Sequence, residues 1–242
     1  MPPRTSTSKG RATQRTSSKP RVRAEATSAG RSLVPRKPSD RIAAAPQGEG
    51  PAPRGITFPL VHLDTWIREN KANLKPPVSN KQLFFGADDV IVFVSGGPNT
   101  RNDYHVNPTE ELFYQIKGDI AVRVRPLDGS EPHDVIVREG ELFLLPRWVP
   151  HRPQRPADTL GLIMEFPRPK GQLDGLRWYC PECDHLVHEA TWQLKRIDED
   201  LKIIMEKFWG GPAKHRTCKN CGFVIERAGA IALKGDKVVK KK

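Results

Sequence analysis

The sequence predicts a mainly β fold for the middle of the chain, a sandwich or barrel of the jelly-roll type. Seven short apolar runs follow one another between residues 83 and 166, and glycine-containing turns separate several of them. Many short strands at this spacing, with turn signals between them, are typical of jelly rolls. The candidate strands cover residues 83–85, 90–95, 112–117, 120–125, 134–138, 142–145 and 160–166.

Two helices are expected outside this region. Asp64 is a candidate N-cap for a short helix that ends before the Lys75-Pro-Pro segment. A second small helix is expected near the C-terminus, between Thr191 and Phe208, because apolar residues recur there with helical spacing. Its apolar stripe consists of Ile197, Leu201, Ile204 and Phe208.

The positive charge of the chain is concentrated at its two ends. The 242 residues carry a net charge of +12, of which residues 1–55 carry +9 and residues 234–242 carry +4. The intervening residues 56–233 therefore carry a charge of −1. Since nucleic-acid binding requires clustered Lys and Arg on the folded surface, we do not expect it of the core.

The N-terminal 55 residues contain twelve Ser or Thr, eight Pro and no aromatic residue. Such a segment cannot bury enough apolar surface to offset its ordering entropy, so we expect a disordered basic arm. It also lacks the apolar stretch of a secretory signal peptide. A solubilising tail, an organelle transit peptide, and an arm that binds nucleic acid or membranes remain as alternatives.

The apolar runs and the cysteines bear on cellular location. No apolar run is longer than about six residues, so we expect no membrane-spanning helix. The four cysteines form two Cys-x-x-Cys pairs, a pattern typical of a metal site and not of a secreted disulfide framework. These features favour a cytoplasmic protein.

Two histidines and a glutamate are framed by glycines. Gly97 precedes His105 by eight residues, and Gly118 follows Glu111 by seven. Further on, Gly140 and Pro146 precede His151. The two frames resemble the two motifs of the cupin family, a jelly-roll barrel. The sequence departs from those motifs in two gap lengths and at Asp103, Trp148 and Arg155, which replace a His, a Gly and an Asn.

The residue types in these frames suit a metal. Two neutral imidazoles and one carboxylate bind one side of the ion and leave the other side open for a substrate and dioxygen. Non-heme Fe(II) oxygenases use this arrangement, so we expect Fe(II) at His105, Glu111 and His151. Glu111 is preferred over Glu110 because its distance to Gly118 fits the motif. Asp103 stays open as a fourth ligand, although the loss of the motif histidine there favours three.

Longer stretches resemble the 3-hydroxyanthranilate 3,4-dioxygenase family. They read LKPPVSN from residue 74, RNDYHVNPTEELFYQIKGD from residue 101, and ELFLLPRWVPHRPQRP from residue 141. The segment DGLRWYCPECDHLVH from residue 174 resembles bacterial-type members, which carry a rubredoxin-like tail. The resemblance covers roughly residues 56–227 and excludes the N-terminal arm and the Lys-rich end.

The resemblance implies an extradiol dioxygenase that opens the ring of 3-hydroxyanthranilate with O2. The product would be 2-amino-3-carboxymuconate semialdehyde, which cyclises without an enzyme to quinolinate. This places the reaction in tryptophan breakdown through kynurenine and in NAD biosynthesis. The family also suggests a homodimer.

The resemblance further implies roles for individual side chains. Arg155 matches the substrate-binding arginine, whose fork pairs with a carboxylate through two hydrogen bonds. Arg101 matches a catalytic arginine near dioxygen. Glu165 and Asn80 match residues that contact the substrate, and Glu111 is expected to contact both substrate and metal.

Four cysteines form a second candidate metal site. Two thiolate pairs can close a tetrahedral site suited to Zn or a single Fe, and the family suggests Fe. Since protein would fill every coordination position, we expect a structural site that clamps the tail to the barrel or to a second subunit. Buried free cysteines and disulfides are the alternatives. The four residues are Cys180, Cys183, Cys218 and Cys221.

The expected organisation has four parts: the arm at 1–55, a cupin catalytic domain at 56–176, a rubredoxin-like four-cysteine metal-binding region at 177–230, and a Lys-rich tail at 231–242. Two other functions compete with the enzyme. One is a non-catalytic cupin that binds a small ligand, and the other is a zinc ribbon with basic arms that binds nucleic acid. The complete metal triad and the two filled arginine positions favour the enzyme.

Overall fold

The computed structural model describes residues 59–74, 76 and 79–240, so the expected disordered arm at 1–55 lies outside the described residues. Thirteen strands and two α-helices are present in the described ranges. They are α1 Leu63–Asn70, β1 Asn80–Gln82, β2 Ile91–Gly96, β3 Tyr104–Val106, β4 Glu111–Lys117, β5 Ile120–Val124, β6 His133–Val137, β7 Leu142–Leu145, β8 His151–Gln154, β9 Leu160–Glu165, β10 Asp174–Tyr179, β11 Leu186–Trp192, α2 Asp200–Gly210, β12 Ile231–Lys234 and β13 Lys237–Lys240.

The strands form two large sheets and one hairpin. One sheet has the order β1-β2-β9-β4-β7, the other has the order β11-β10-β3-β8-β5-β6, and β12 pairs with β13. All strand pairs are antiparallel. This architecture confirms the expected mainly β, jelly-roll class.

The hydrophobic core lies on the inner faces of both sheets. Along β4, buried Glu111, Phe113 and Gln115 alternate with side chains that are more exposed, as the two-residue period of a strand requires. Phe113 from one sheet and Leu176 from the other belong to a single buried cluster. The polar side chains that face inward, such as those of Glu111 and Gln115, therefore lie within an otherwise apolar interior.

Six of the seven expected strands are confirmed to within one residue at each end. The expectation for residues 83–85 is wrong, because the first strand covers Asn80–Gln82 instead. Leu83 still donates to the carbonyl of Val92 at 2.8 Å, but the chain then turns away at Gly86, where φ is +85°. Phe85 is consequently exposed, although its apolar character suggested a strand.

Both helices differ from the prediction. The first has a different N-cap residue, and the second begins later in the chain. His62, and not Asp64, is the N-cap of α1, and its Nδ1 accepts from the Thr65 amide at 3.4 Å. The second helix covers only Asp200–Gly210, since the preceding residues form β11, where Trp192 pairs with Asp174. Ile197 lies before the helix yet is buried, as are Leu201 and Phe208, whereas Ile204 is only partly buried.

The C-terminal helix packs onto the barrel. Leu201, Met205 and Phe208 of α2 are buried in the same cluster as the barrel core. The rings of Trp178 and Phe208 stack with their centroids 4.0 Å apart. The expected boundary at residue 176 falls inside β10. The Lys-rich end forms the β12–β13 hairpin up to Lys240.

None of the helices in the described ranges is long and apolar enough to cross a membrane.

Candidate active site

The three expected metal ligands come together inside the barrel. His105 on β3 lies directly opposite His151 on β8, and their ring centroids are 5.3 Å apart. Glu111 begins β4 in the other sheet. One ligand atom from each residue lies within 4.8 Å of the others, and all three residues are buried. The two sheets thus bring two imidazoles and a carboxylate to one point.

The loop before β3 is tied to the end of β8. Gly97 donates to the carbonyl of Thr159 at 2.8 Å, and a Cβ at Gly97 would lie 1.8 Å from the carbonyl oxygen of Pro156. The buried Asn99 side chain accepts from the Arg155 amide at 2.9 Å and donates to the carbonyl of Pro153 at 2.8 Å. These contacts explain why a motif glycine precedes His105 and hold the two histidine strands in register.

Each histidine ring has a fixed partner on one nitrogen. Nδ1 of His151 lies 3.1 Å from the carbonyl oxygen of Val149, which leaves Nε2 directed at Glu111, 3.0 Å from Oε2. Nε2 of His105 lies 2.7 Å from Oδ1 of Asp174, which leaves Nδ1 for the site. Carboxylate or carbonyl partners of this kind orient metal-binding histidines.

The chemistry of this donor set fits a divalent metal. Oε2 of Glu111 is buried and takes part in no hydrogen bond with the described residues, so a cation would satisfy it. Burial lowers the pKa of His105 and outweighs the opposing effect of Asp174. Burial alone would raise the pKa of Glu111, but His151 and His105 hold it below its usual value. Neutral imidazoles and an ionised carboxylate are the protonation states that metal binding requires.

Asp103 is not part of this group. Its carboxylate is fully buried and pairs with Arg101, whose Nε lies 3.1 Å from Oδ2. Among the described residues, the cluster that could hold a metal here consists of His105, Glu111 and His151. The geometry therefore favours three protein ligands over four.

Arg155 lies inside the barrel with few partners. The residue is 1 % exposed, and among the described side chains only Gln115 hydrogen-bonds its guanidinium, through Nη1 at 3.3 Å. Burial lowers the pKa of Arg155 to about 10. Gly161 makes room for it, since a Cβ there would lie 2.9 Å from both Nη1 of Arg155 and Oε1 of Gln115.

Glu165 lies opposite Glu111 on adjacent strands β9 and β4. Burial and the facing Glu111 carboxylate raise the pKa of Glu165 to about 8, against the effect of Arg168. The Arg168 guanidinium donates to Oε2 of Glu165 at 2.6 Å and is itself buried.

One small cavity brings the expected site residues together. Asn80, Arg101, Arg155 and Glu165 line it together with the three candidate metal ligands. The free space is about 20 Å³, room for roughly one water molecule. The apolar walls are Phe93, Phe113, Pro153, Ile163 and Leu201.

The residues that hold this site in place are not among those predicted from the sequence. Arg168 and Asp174 lie in and after the β9–β10 loop and bind each other through two hydrogen bonds of 2.7 Å. The indole of Trp192 stacks near the His105 ring, with centroids 6.3 Å apart. No spacing motif marks these residues, and His105, which Asp174 and Trp192 contact, lies at least 69 residues away from them in the chain.

The four cysteines also form a compact group, and none is bonded in a disulfide. The sulfurs of Cys180 and Cys221 are 3.5 Å apart, as are those of Cys183 and Cys218. Sulfur ligands about 2.3 Å from a metal in a tetrahedron lie roughly 3.8 Å from one another, so the group needs little adjustment. The Asn220 side chain and the His185 backbone lower the pKa of Cys183 to about 6.

An arginine from the barrel binds the first cysteine knuckle. Nη1 of Arg125 donates to Oδ2 of Asp184 at 2.8 Å, and its guanidinium lies 3.6 Å from the ring centre of Tyr179. Asp184 itself has a positive φ and follows Cys183 directly. An ion pair and a cation–π contact therefore attach the knuckle to Arg125, which follows the end of β5.

The chain is similar in sequence to several known proteins. The chain is 43 % identical over 166 residues to "3-hydroxyanthranilate 3,4-dioxygenase" from Neurospora crassa, covering 69 % of this chain and 89 % of that one. It is 48 % identical over 164 residues to the protein of the same name from Brucella anthropi, covering 67 % and 89 %. Among solved structures, a cupin-2 domain-containing protein from Shewanella frigidimarina matches 41 % of this chain and 91 % of its own, with 15 % identity and a TM-score of 0.34.

Residues 56–209 match the family model described as 3-hydroxyanthranilic acid dioxygenase. The match covers more than half of the sequence, and it includes both histidine segments and the first cysteine pair. The chain belongs to the 3-hydroxyanthranilic acid dioxygenase family.

Proposed function

We propose that this chain is a 3-hydroxyanthranilate 3,4-dioxygenase that uses the His105–Glu111–His151 group as its metal site. One observation carries the proposal: the buried triad shares its cavity with Arg155 and Glu165. A divalent cation, a carboxylate binder and a hydrogen-bonding carboxylate are what an aromatic amino acid with a ring hydroxyl requires. The product is a precursor of quinolinate in the kynurenine pathway.

Fe(II) is the metal that this site suits best. Two histidines and one carboxylate with open positions on the far side are the preferred ligands of non-heme iron oxygenases. When bound, iron supplies a path for electron density between the substrate ring and dioxygen, which otherwise react slowly. His105, Glu111 and His151 would hold it, with Asp174 and the Val149 carbonyl orienting the two rings.

Arg155 is the group that binds the substrate carboxylate. Its guanidinium is buried and has only one protein partner among the described side chains, so its other N–H groups can donate into the cavity. A planar guanidinium matches a carboxylate through two parallel hydrogen bonds. The low dielectric of the site strengthens this pairing relative to water.

Three further side chains of the cavity have proposed roles toward the substrate or dioxygen: Glu165, Asn80 and Arg101. Glu165 can accept a hydrogen bond from the ring amine while Arg168 keeps its carboxylate in place. Asn80 offers an amide at the cavity wall. Arg101, held by Asp103, lines the same cavity, and its positive charge would stabilise negative charge that develops on dioxygen there.

The four-cysteine group is proposed as a second, structural metal site for Fe or Zn. Each sulfur would occupy one coordination position, which would leave no position for a substrate. The site requires reduced thiols, which fits a cytoplasmic location.

The outer face of the five-stranded sheet supports a homodimer. On β7, an edge strand of the described sheet, Leu142 is 67 % exposed and Leu144 is 55 % exposed. Tyr114 on the neighbouring β4 continues this apolar face. Edge strands with exposed apolar side chains favour pairing with another chain, and here a second copy is the proposed partner. Light scattering after gel filtration should give twice the chain mass for the wild type, with Leu142→Lys monomeric and Leu127→Lys, at a separate exposed site, dimeric.

The test of the function is an oxygen-dependent assay on protein loaded with Fe(II) under anaerobic conditions. With 3-hydroxyanthranilate, the ultraviolet band of the semialdehyde should appear and then decay to quinolinate. His105→Ala should abolish turnover, while His133→Ala, which changes an exposed histidine, should not. Tight iron binding without ring opening in the wild type would instead favour a non-catalytic cupin that binds a small ligand.

A further inference from the structure

We propose that Arg168 is a positioning residue that fixes the metal ligand His105 and the substrate-contacting Glu165 at the same time. The inference rests on the proposed function for the role of these two partners. Arg168 belongs to the loop between β9 and β10, outside every motif that identified the site.

The contacts of Arg168 reach both halves of the site. Its Nε and Nη2 donate to the two oxygens of Asp174, each at 2.7 Å, and Oδ1 of Asp174 also lies 2.7 Å from Nε2 of His105. The same Nη2 donates to Oε2 of Glu165 at 2.6 Å. One guanidinium nitrogen therefore connects the carboxylate behind the metal ligand with the carboxylate that faces the substrate.

The planar fork of arginine is required for this arrangement. Nη1 makes a further bond of 2.7 Å to the carbonyl oxygen of Phe166, so all three guanidinium nitrogens are used in one plane. A lysine ammonium at this position would carry the charge but could not hold both Asp174 oxygens and Glu165 together. Arg168 therefore acts through geometry as well as charge.

The burial of the group makes the arrangement rigid. The side chains of Arg168, Asp174 and Glu165 are all 1 % exposed or less. Water has little access to replace a lost bond, so a change at Arg168 must reorient Asp174 and Glu165. Through Asp174, the same change must alter the orientation of the His105 ring.

The test compares two variants that separate the contact of Arg168 with Asp174 and His105 from its contact with Glu165. Arg168→Lys disturbs both contacts, whereas Asp174→Asn keeps Arg168 and its bond to Glu165 and alters the carboxylate that orients His105. Arg177→Lys is the matched control. Arg177 lies on the same strand as Asp174, but it forms a surface ion pair with Glu189. The readouts are the visible absorption spectrum of the Co(II)-loaded protein, the Co(II) dissociation constant from chelator competition, and kcat and KM separately.

Arg168→Lys should shift the Co(II) spectrum, weaken Co(II) binding about 10–100-fold and raise KM. Asp174→Asn should reproduce the spectral and affinity changes with a smaller rise in KM, because the bond from Arg168 to Glu165 is kept. Arg177→Lys should match the wild type in all three. Guanidinium chloride at millimolar concentration should restore the Co(II) spectrum of Arg168→Ala, since the free ion can occupy the vacated position.

A wild-type Co(II) spectrum, Co(II) affinity and KM in Arg168→Lys would overturn the proposal, even with a lower melting temperature. If the Arg168 variants do not fold, Asp174→Asn decides, and an unchanged Co(II) spectrum there overturns it. The Co(II) readouts need no turnover. A wild type that binds Co(II) but opens no ring would refute the proposed function and leave the Arg168–Asp174–His105 link to be judged by the spectra.

Discussion

Glu111 and Glu165 lie directly opposite each other on adjacent antiparallel strands, and both carboxylates are buried. Like charges at cross-strand positions repel each other, and burial increases the cost. The Arg168 guanidinium contacts Glu165, but Oε2 of Glu111 has no hydrogen-bond partner among the described residues. A divalent cation between the histidines would satisfy Glu111 and relieve this repulsion.

Metal binding should therefore stabilise the protein against unfolding. At a free metal concentration 100 times the dissociation constant, a single site contributes about 2.7 kcal/mol, which corresponds to a rise of about 5–10 °C in Tm for a chain of this size. Differential scanning calorimetry of metal-free protein with and without Fe(II) measures the rise. His151→Ala should lose the part due to the barrel site. An equal rise in that variant would show that the metal binds elsewhere.

Arg155→Met should weaken substrate binding without removing the metal. A lost charge-assisted pairing costs about 1.5–3 kcal/mol, so KM should rise roughly 10–100-fold. Steady-state kinetics checks this, with iron content measured on the same samples. Arg147→Met removes an exposed arginine near the same strand and should leave KM unchanged. A KM that stays at the wild-type value in Arg155→Met would refute the assigned role.

Gly161→Ala should also weaken substrate binding, because Gly161 packs against the Arg155 guanidinium. The new Cβ would lie 2.9 Å from Nη1 of Arg155, so the guanidinium must move. We expect a higher KM and little change in iron affinity. Gly229→Ala, where a Cβ meets no atom within 4 Å, is the control. Equal kinetics for the two variants would mean that the position of Arg155 does not matter for binding.

The stability of the metal-free wild type relative to a His105→Gln variant should fall as the pH decreases below about 6.5. Burial lowers the pKa of His105 in the folded state, so the unfolded chain takes up a proton at a pH where folded His105 stays neutral. Glu165 acts in the opposite direction in both proteins, because its pKa is raised to about 8 and the folded state keeps its proton. The His105 contribution to the free energy of unfolding therefore decreases with falling pH. Urea unfolding between pH 7.5 and pH 5.5 measures the slopes of both proteins and of His133→Gln, which should follow the wild type; parallel slopes in all three proteins would exclude this role for His105.

Cys180→Ser should reduce stability and total metal content more than it reduces the chemical step. Cys180 is buried and its sulfur contacts Cys221, so its loss opens the four-sulfur group next to the barrel. Melting temperature, metal content and kcat per barrel-bound iron are the three measurements. Unchanged melting and metal content would contradict a structural metal site at the cysteines.

The strands that the sequence predicted and those that it missed differ in composition. Strands such as Ile91–Gly96 are apolar runs bounded by turns, so their pattern reflects burial directly. β3 and β8 are short and contain histidines, an arginine and a proline, although most of their residues are buried. Their strand character comes from pairing inside the barrel, which a local pattern does not contain.

The site residues likewise divide into those that a sequence pattern reveals and those that only the fold brings together. The frame of glycines identified His105, Glu111 and His151, because turn glycines and ligands lie close together in the chain. Asp174 lies 69 residues from His105, so only the folded chain places its carboxylate against that ring.

The most direct measurement of the central claim is oxygen uptake and loss of 3-hydroxyanthranilate in the same closed vessel, with the Fe(II)-loaded full-length protein. Glu111→Gln serves as the comparison because it keeps the shape of the ligand and removes its charge. A ring-opening dioxygenase at this triad predicts one O2 consumed for each ring opened by the wild type, and neither process in the variant. Iron-loaded wild type that consumes no oxygen and leaves the ring intact, or Glu111→Gln with wild-type turnover, would contradict it.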